Sequence, residues 1–490
     1  MKISILSAVP KKNNLVIIPL MDDDQLKSHL AIIAESVGIK ATILQNDFSA
    51  NQEETYYLST PATPKLILLG IGKTMSFSAV SKSFKLLSHR DKNKLDSNII
   101  IDFTKVEETP EMVEASINGL TLGSYNVAMY KTDKADKHPL ENAKATIKAV
   151  TSITRATAQK AIQKGLETAL TQMSIMNLVN APGNKATPEY LAQWAKNSGK
   201  KYGFKVKVLN KRQCLTEGLH ALLAVNKGSE YPPTFIVMEY IPTTKRKYKK
   251  VGLVGKGVTF DTGGLSIKGS QNMHYMKCDM GGGAAVLGTM ELAAKLKLPV
   301  HLIGIVPATD NCVDATAVKP GDVIQSYSKK TIEIIDTDAE GRLILADGIA
   351  YMNKKYKPNV LIDLATLTGS CVRALGYNAG GLFTNNDDLA KDLYEAGMES
   401  GEKLWRLPLW DDYKHEMNSD VADIKNFSGR PTAGAITAGK FLEFFTNKHS
   451  NWAHLDIAGV AFGDSGLSKE KSSTAYGIHL LVTYLKNKKW

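Results

Sequence analysis

The feature that most constrains this chain is a recurring short run that is apolar at nearly every position. In the first third these runs are "NNLVIIPL" (13–20), "PKLILLGIG" (64–72) and "SNIIIDFTK" (97–105). A strand with one wet face alternates apolar and polar residues, whereas continuous runs mark strands buried on both faces. Between them, "DDQLKSHLAIIAESVG" and "SFSAVSKSFKLLSHRDKNK" carry helical periodicity. Later come "FKVKVLN", "PTFIVMEYI", "KVGLVG", "PVHLIGIVPA", "TIEII" and "NVLIDLATLTG", interleaved with helices such as "GGGAAVLGTMELAAKLKL". Strands alternating with helices predict an α/β class whose sheets are covered by helices on both faces.

At 490 residues the chain is too long for one core. The pattern divides into a smaller N-terminal α/β domain (1–150), a linker helix (151–180) ending at the turn-rich "NAPGN", and a larger C-terminal α/β domain (181–490) with a central mixed sheet. In "KATPEYLAQWAKNSG", Thr187 is placed as N-cap and Pro188 as first helical residue. The longest apolar runs are too short to cross a bilayer, and the first residues lack the apolar length and cleavage site of a signal peptide. Cys214, Cys278, Cys312 and Cys371 form no CxxC pair, which reads as reduced thiols in a cytoplasmic protein.

Lys and Arg number 61 against 49 Asp and Glu, a net charge of +12. The excess is spread along the chain: 21 bases against 17 acids through residue 165, and 40 against 32 beyond it. The one dense run, "KRKYKK" (245–250), lies between two strands and reads as a solvated hairpin tip, with a phosphate-binding patch as the alternative.

The chemistry concentrates elsewhere. "DTDAEGRL" (336–343) sets three carboxylates and an arginine between two apolar segments. If extended, it would turn Asp336, Asp338, Glu340 and Arg342 to one face. Like charges gathered in a partly buried place require a metal, a basic cluster or water. "GKGVTFDTGGLSIK" adds Lys256, Asp261 and Lys268, and "MKCDMGGG" adds Asp279. Asp261, Asp279, Asp338 and Glu340 all fall in loops or at strand ends, where ligands gather in open α/β sheets. Two divalent cations would balance the four carboxylates. Spacing alone leaves that reading level with ordinary surface or capping roles. Other signatures fail: "HEMNS" (415–419) has Ser419 where a zinc-protease helix needs histidine. "GDSG" (463–466) lacks the setting of a serine nucleophile, and "GLVGKGVTFDTGG" matches no phosphate loop.

"VGKGVTFDTGGLSIK", "MKCDMGGGAAV", "DTDAEGRLILAD" and "DLATLTGS" resemble the defining motifs of the cytosolic leucyl aminopeptidase family. The likeness continues through "WRLPLWDDY", "GAITAGKFL" and "WAHLDIAG", from about residue 170 onward. Asp336 stands where the family usually has asparagine, and Gly439 where it usually has alanine. The resemblance implies Lys256, Asp261, Asp279, Asp338 and Glu340 as ligands of two divalent ions, zinc, manganese or magnesium, with Asp261 and Glu340 bridging. It implies Lys268 and Arg342 as catalytic cations, Arg342 holding a bicarbonate that serves as general base. Thr366, Leu367 and Gly369 would contact substrate through backbone groups, and Met276 would line a pocket for the first side chain. A ligating lysine must be a neutral amine, so Lys256 is expected to have a lowered pKa, supplied by burial and the ions.

The implied activity is metal-dependent removal of N-terminal leucine and other apolar residues from peptides, by a homohexamer built as two trimers. One alternative is a DNA-binding regulatory protein, which the net charge permits. The other, a silent scaffold, is disfavoured because every implied metal and catalytic position is filled.

Overall fold

The computed structural model describes residues 2–10, 15–59, 64–133, 137–244 and 246–490. The chain forms two compact units, Met1–Met173 and Ser174–Trp490. The helix expected over 151–180 runs Arg155–Asn180, and the boundary between units falls inside it.

The first unit is a six-stranded sheet of β1 (Lys2–Leu6), β2 (Leu15–Leu20), β3 (Thr55–Leu58), β4 (Lys65–Gly70), β5 (Asn98–Asp102) and β6 (Thr146–Val150). Their order is β1-β6-β5-β2-β4-β3, parallel except for β3. Along β2, Leu15 and Ile17 join one core, while Val16, Ile18 and Leu20 join another on the opposite face. Burial on both faces explains why the run shows no alternation. Residues 13 and 14 of "NNLVIIPL" lie outside the described residues.

The second unit is a nine-stranded mixed sheet: β7 (Lys205–Leu209), β8 (Thr234–Tyr240), β9 (Lys250–Gly255), β10 (Gly257–Asp261), β11 (His301–Asn311), β14 (Val360–Ala365), β15 (Gly380–Phe383), β16 (Leu404–Arg406) and β18 (Trp452–Asp456). Three short strands, β12 (Val323–Gln325), β13 (Thr331–Glu333) and β17 (Ile424–Lys425), make a separate sheet. The main order is β16-β15-β18-β14-β9-β11-β8-β7, with β10 added on β11. The middle strands β18, β14, β9 and β11 are mutually parallel, so their carboxyl ends share one edge.

Two sequence expectations change. "TIEII" pairs only over Thr331–Glu333, because the amide of Ile335 turns instead to the side chain of Asn426. "KRKYKK" is not a hairpin tip, because β11 lies between β8 and β9 and the two strands do not pair. Within the connection between them Arg246 donates to the Trp490 carbonyl at 3.0 Å, and Lys245 lies outside the described residues. Thr187 caps its helix as expected, accepting from the Tyr190 amide with Pro188 in the first turn. The four cysteines are free, and burial pushes each thiol up to about 12. Among the described residues no helix is long and apolar enough to cross a membrane.

The glycines of "MGGGAAV" let the helix Gly281–Lys295 touch the sheet backbone. A Cβ on Gly282 would stand 2.1 Å from the Leu364 carbonyl oxygen, inside strand β14, which cannot yield. Gly269 has nothing within 4 Å. Gly282→Ala is therefore expected to destabilise the fold by about 1–3 kcal/mol or more, as overpacking does. Gly269→Ala should leave the denaturation midpoint almost unchanged. Equal midpoints for the two variants in urea titrations would contradict this packing.

Candidate active site

Five neighbouring strands deliver polar groups at their carboxyl ends. Lys256 follows β9, Asp261 ends β10, Asn311 ends β11, Thr366 follows β14 and Asp456 ends β18. Asp279 arrives from the turn ahead of the helix Gly281–Lys295, and Asp338 and Glu340 from the turn ahead of the helix Gly341–Lys355. Asp261, Asp279 and Glu340 are almost fully buried, as is Lys256.

The "DTDAEGRL" segment is not extended. Asp336 Oδ1 accepts from the Asp338 amide at 2.9 Å, closing a turn, and Glu340 directly precedes helix. The four charged side chains therefore do not share one face. Asp338 and Glu340 point to Asp261, and oxygens of these three lie within 4.8 Å of one another. Arg342 lies one residue into the helix, buried, and donates to the Asn426 carbonyl at 2.8 Å. Asp336 stays outside the cluster.

Two ammonium groups lie among the carboxylates. Lys256 Nζ stands 2.7 Å from Asp279 and 2.7 Å from Glu340, and donates to the Thr366 carbonyl at 3.1 Å. Lys268 Nζ pairs with Asp261 at 2.8 Å and with Asp338. Gly341 makes room for the first lysine, since a Cβ there would meet Lys256 Cε at 2.5 Å. Burial drives Asp338 up to about 7, helped by the charges of Asp261 and Glu340 and opposed by Lys268. Burial likewise raises Asp279 and Glu340. For Lys256, burial pulls the pKa down, but the facing carboxylates Asp279, Glu340 and Asp261 outweigh it and the net shift is upward. Burial alone therefore does not lower Lys256, and the expected lowering depends on the charge of bound cations.

The residues fit divalent cations. Neither oxygen of Glu340 nor Oδ2 of Asp279 has a well-directed hydrogen-bond donor. Lys256 offers two of these three oxygens only ion-pair contact. Buried oxygens short of donors in an oxygen-rich set are what hard or borderline cations take. Arg342 has an orphan too: its buried Nε finds no partner among the described residues, and burial lowers its pKa to about 10.

Several residues that sequence reasoning passed over hold the site together. Asn311 donates to Asp261 Oδ1 at 2.9 Å and to the Thr337 carbonyl at 3.1 Å. Asn426 accepts from the amides of Ile335 and Asp336 and donates to the Asp336 carbonyl at 2.6 Å. Asp456, within "WAHLDIAG", accepts from the Leu367 amide at 3.2 Å and the Thr368 hydroxyl at 2.7 Å. Thr366 completes this link by donating to Asp279 Oδ1 at 2.8 Å. Of the residues expected to meet substrate, Thr366 is thus tied to the cluster through its side chain. The Leu367 amide is already engaged by Asp456 and its side chain packs on the core. Gly369 is exposed, and Met276 is half-buried in the turn Met273–Cys278.

Comparison with known proteins identifies the chain's relatives. The catalytic-domain model of the cytosol aminopeptidase family matches residues 174–482, and the family's N-terminal-domain model matches residues 17–134. A probable cytosol aminopeptidase of Chlorobium limicola is 42% identical over 509 aligned positions, covering 100% of each chain. One from Chloroherpeton thalassium is 42% identical over 93% of each. Among solved structures, a tomato leucine aminopeptidase mutant superposes with a TM-score of 0.88 at 30% identity, covering 100% of this chain and 97% of its own. The bottromycin maturation enzyme BotP in complex with Mn gives 0.83 at 29%, covering 96% and 99%. The chain belongs to the cytosol aminopeptidase family. It is a metal-dependent aminopeptidase, a hydrolase acting on peptides.

The Asn426 clamp gives a direct check on the site's frame. Removing it strands several buried backbone groups, so Asn426→Ala is expected to cost about 2–4 kcal/mol, at 1–3 kcal/mol per unsatisfied group. An unchanged unfolding midpoint would show that the clamp contributes nothing.

Proposed function

We propose that the chain removes N-terminal residues, preferentially leucine and other apolar ones, through two divalent ions held by Lys256, Asp261, Asp279, Asp338 and Glu340. Zinc and manganese suit this donor set, and magnesium is the third candidate. The observation that carries the reading is the cluster of four carboxylates and two lysines, buried except for Asp338 and Lys268, at the carboxyl edge of the sheet. When bound, the ions would anchor the free α-amine of the substrate, polarise its scissile carbonyl and acidify the attacking water.

The chain's own groups do the rest. Lys268, held at the cluster by Asp261 and Asp338, is the cation that stabilises the oxyanion. Its side chain keeps partial exposure. Arg342 offers a planar, buried guanidinium with an unpartnered Nε, suited to holding a small anion. The family resemblance assigns bicarbonate to that place as general base, and the fixed positive charge of Arg342 supports holding such an anion. Thr366 and Gly369 border the substrate, with Leu367 contributing through its carbonyl. Met276 lines an adaptable pocket for the first side chain. Asp261 and Glu340 are assigned as bridging ligands.

A homohexamer of two trimers and a cytoplasmic location belong to the same proposal; light scattering that returns six chains would support the assembly. The DNA-binding alternative rests on the net charge of +12 alone: within the one dense basic run Arg246 donates to the Trp490 carbonyl, while Lys247 and Lys249 are exposed.

Chelated protein should cleave neither a leucyl peptide nor its N-acetylated twin. Restoring Mn²⁺ or Zn²⁺ should recover cleavage of the free-amine peptide alone. Equal cleavage of both would make this an endopeptidase and refute the site reading. Lys268→Met is expected to lower kcat by about 10²–10³, the usual loss for one oxyanion contact. Metal content by mass spectrometry should meanwhile stay at the wild-type value; full activity in this variant would remove Lys268 from the reaction.

A further inference from the structure

We propose that Arg373 is a specificity residue that receives a carboxylate on the leaving-group side of the substrate; this rests on the aminopeptidase site proposed above. The helix Gly369–Leu375 begins where the Thr366–Thr368 loop ends. That loop is fixed at both ends. Thr366 bonds to Asp279 through its hydroxyl and to Lys256 through its carbonyl, while Asp456 takes the Leu367 amide and the Thr368 hydroxyl. The helix therefore starts from a loop that is tied to the carboxylate cluster.

Arg373 folds back toward the start of its own helix. Its Nη2 donates to Ser370 Oγ at 3.0 Å, and its Nη1 stands 3.5 Å from where a Cβ on Gly369 would be. The bare glycine leaves one edge of the guanidinium lying over backbone, with the other donors open to solvent. The side chain is exposed, and among the described residues it forms no ion pair. It is a placed cation without a counter-charge.

The length of chain between Arg373 and the cluster leaves it within reach of a substrate carboxylate. Gly369 is three residues from Thr366, so at most roughly 10–11 Å of chain separates it from the residue that touches Asp279. A peptide advances roughly 3.3–3.6 Å per residue, which puts a carboxylate one or two residues past the scissile bond within the same range. The forked guanidinium matches a carboxylate in shape and charge. Arginine as a mere solvated surface charge would give no selectivity between acid and amide.

Two sources could present the carboxylate, the C-terminus of a short peptide or an acidic side chain after the scissile bond. The test measures kcat/KM for Leu-Gly against Leu-Gly-amide, and for Leu-Asp-amide against Leu-Asn-amide, in wild type, Arg373→Met and Arg373→Lys, all loaded with Mn²⁺. In at least one pair the wild type should favour the acid by about fivefold through KM, the scale of an exposed charge pair. That preference should shrink as salt is raised. Arg373→Met should bring the ratio to about one, and Arg373→Lys should keep part of it. The pair that responds identifies the source. A ratio equal in wild type and Arg373→Met, in both pairs, overturns the proposal while leaving the aminopeptidase reading intact. If wild type cleaves none of the four, both fall together.

Discussion

Mutual repulsion among buried carboxylates governs this structure. Asp261, Asp338 and Glu340 bring oxygens within 4.8 Å of one another, and Asp279 joins them through Lys256. At an effective dielectric of about 20, each pair of bare charges at that separation costs about 3–4 kcal/mol. Three such pairs amount to about 10 kcal/mol, comparable with the whole net stability of a typical domain. The arrangement therefore needs positive charge inside it. Within the chain, two lysine ammoniums supply some and protonation of the carboxylates relieves more, which is why burial and neighbouring charge drive Asp338 up to about 7. Divalent cations would meet the same need more completely, so affinity for metal follows from the fold's own electrostatic deficit.

The sheet makes that crowding possible. Parallel middle strands bring Lys256, Thr366 and Asp456 to one edge, and β10 and β11 add Asp261 and Asn311. Glycine-permitted contact of helix Gly281–Lys295 with β14 sets Asp279 close, and Gly341 leaves room for Lys256. Around the charges, Asn311, Asn426, Asp456 and Thr366 tie each loop to its neighbour by side-chain hydrogen bonds. Holding charged groups in fixed positions is how a site stabilises charge without reorganising at the moment of reaction. The stability lost to repulsion and the catalytic use of the site are two consequences of one arrangement.

Much of this was legible in the sequence because both signals are local. Runs apolar at every position marked strands buried on two faces, and the β2 side chains do divide between two cores. The charged members of the site lie in glycine-rich loops, where composition alone draws attention to them. What failed was geometry within a segment. Period-2 alternation assumed that "DTDAEGRL" is extended, but the Asp336 side chain closes a turn and a helix starts at Gly341, so Arg342 points to Asn426. The hairpin expected at "KRKYKK" failed because strand order is not a local property: β11, fifty residues away, inserts between β8 and β9. Asn426 and Asn311 carried no signal, since a lone asparagine looks the same in a surface loop as at a buried clamp.

The most direct measurement is anomalous diffraction at the manganese or zinc edge from crystals of the metal-loaded protein. The electrostatic account predicts two anomalous peaks per chain within the cluster of Asp261, Asp279, Asp338 and Glu340, with the Lys268 ammonium displaced from Asp338. Crystals that show no peak there at saturating metal, with both lysines still paired as they are here, would contradict it.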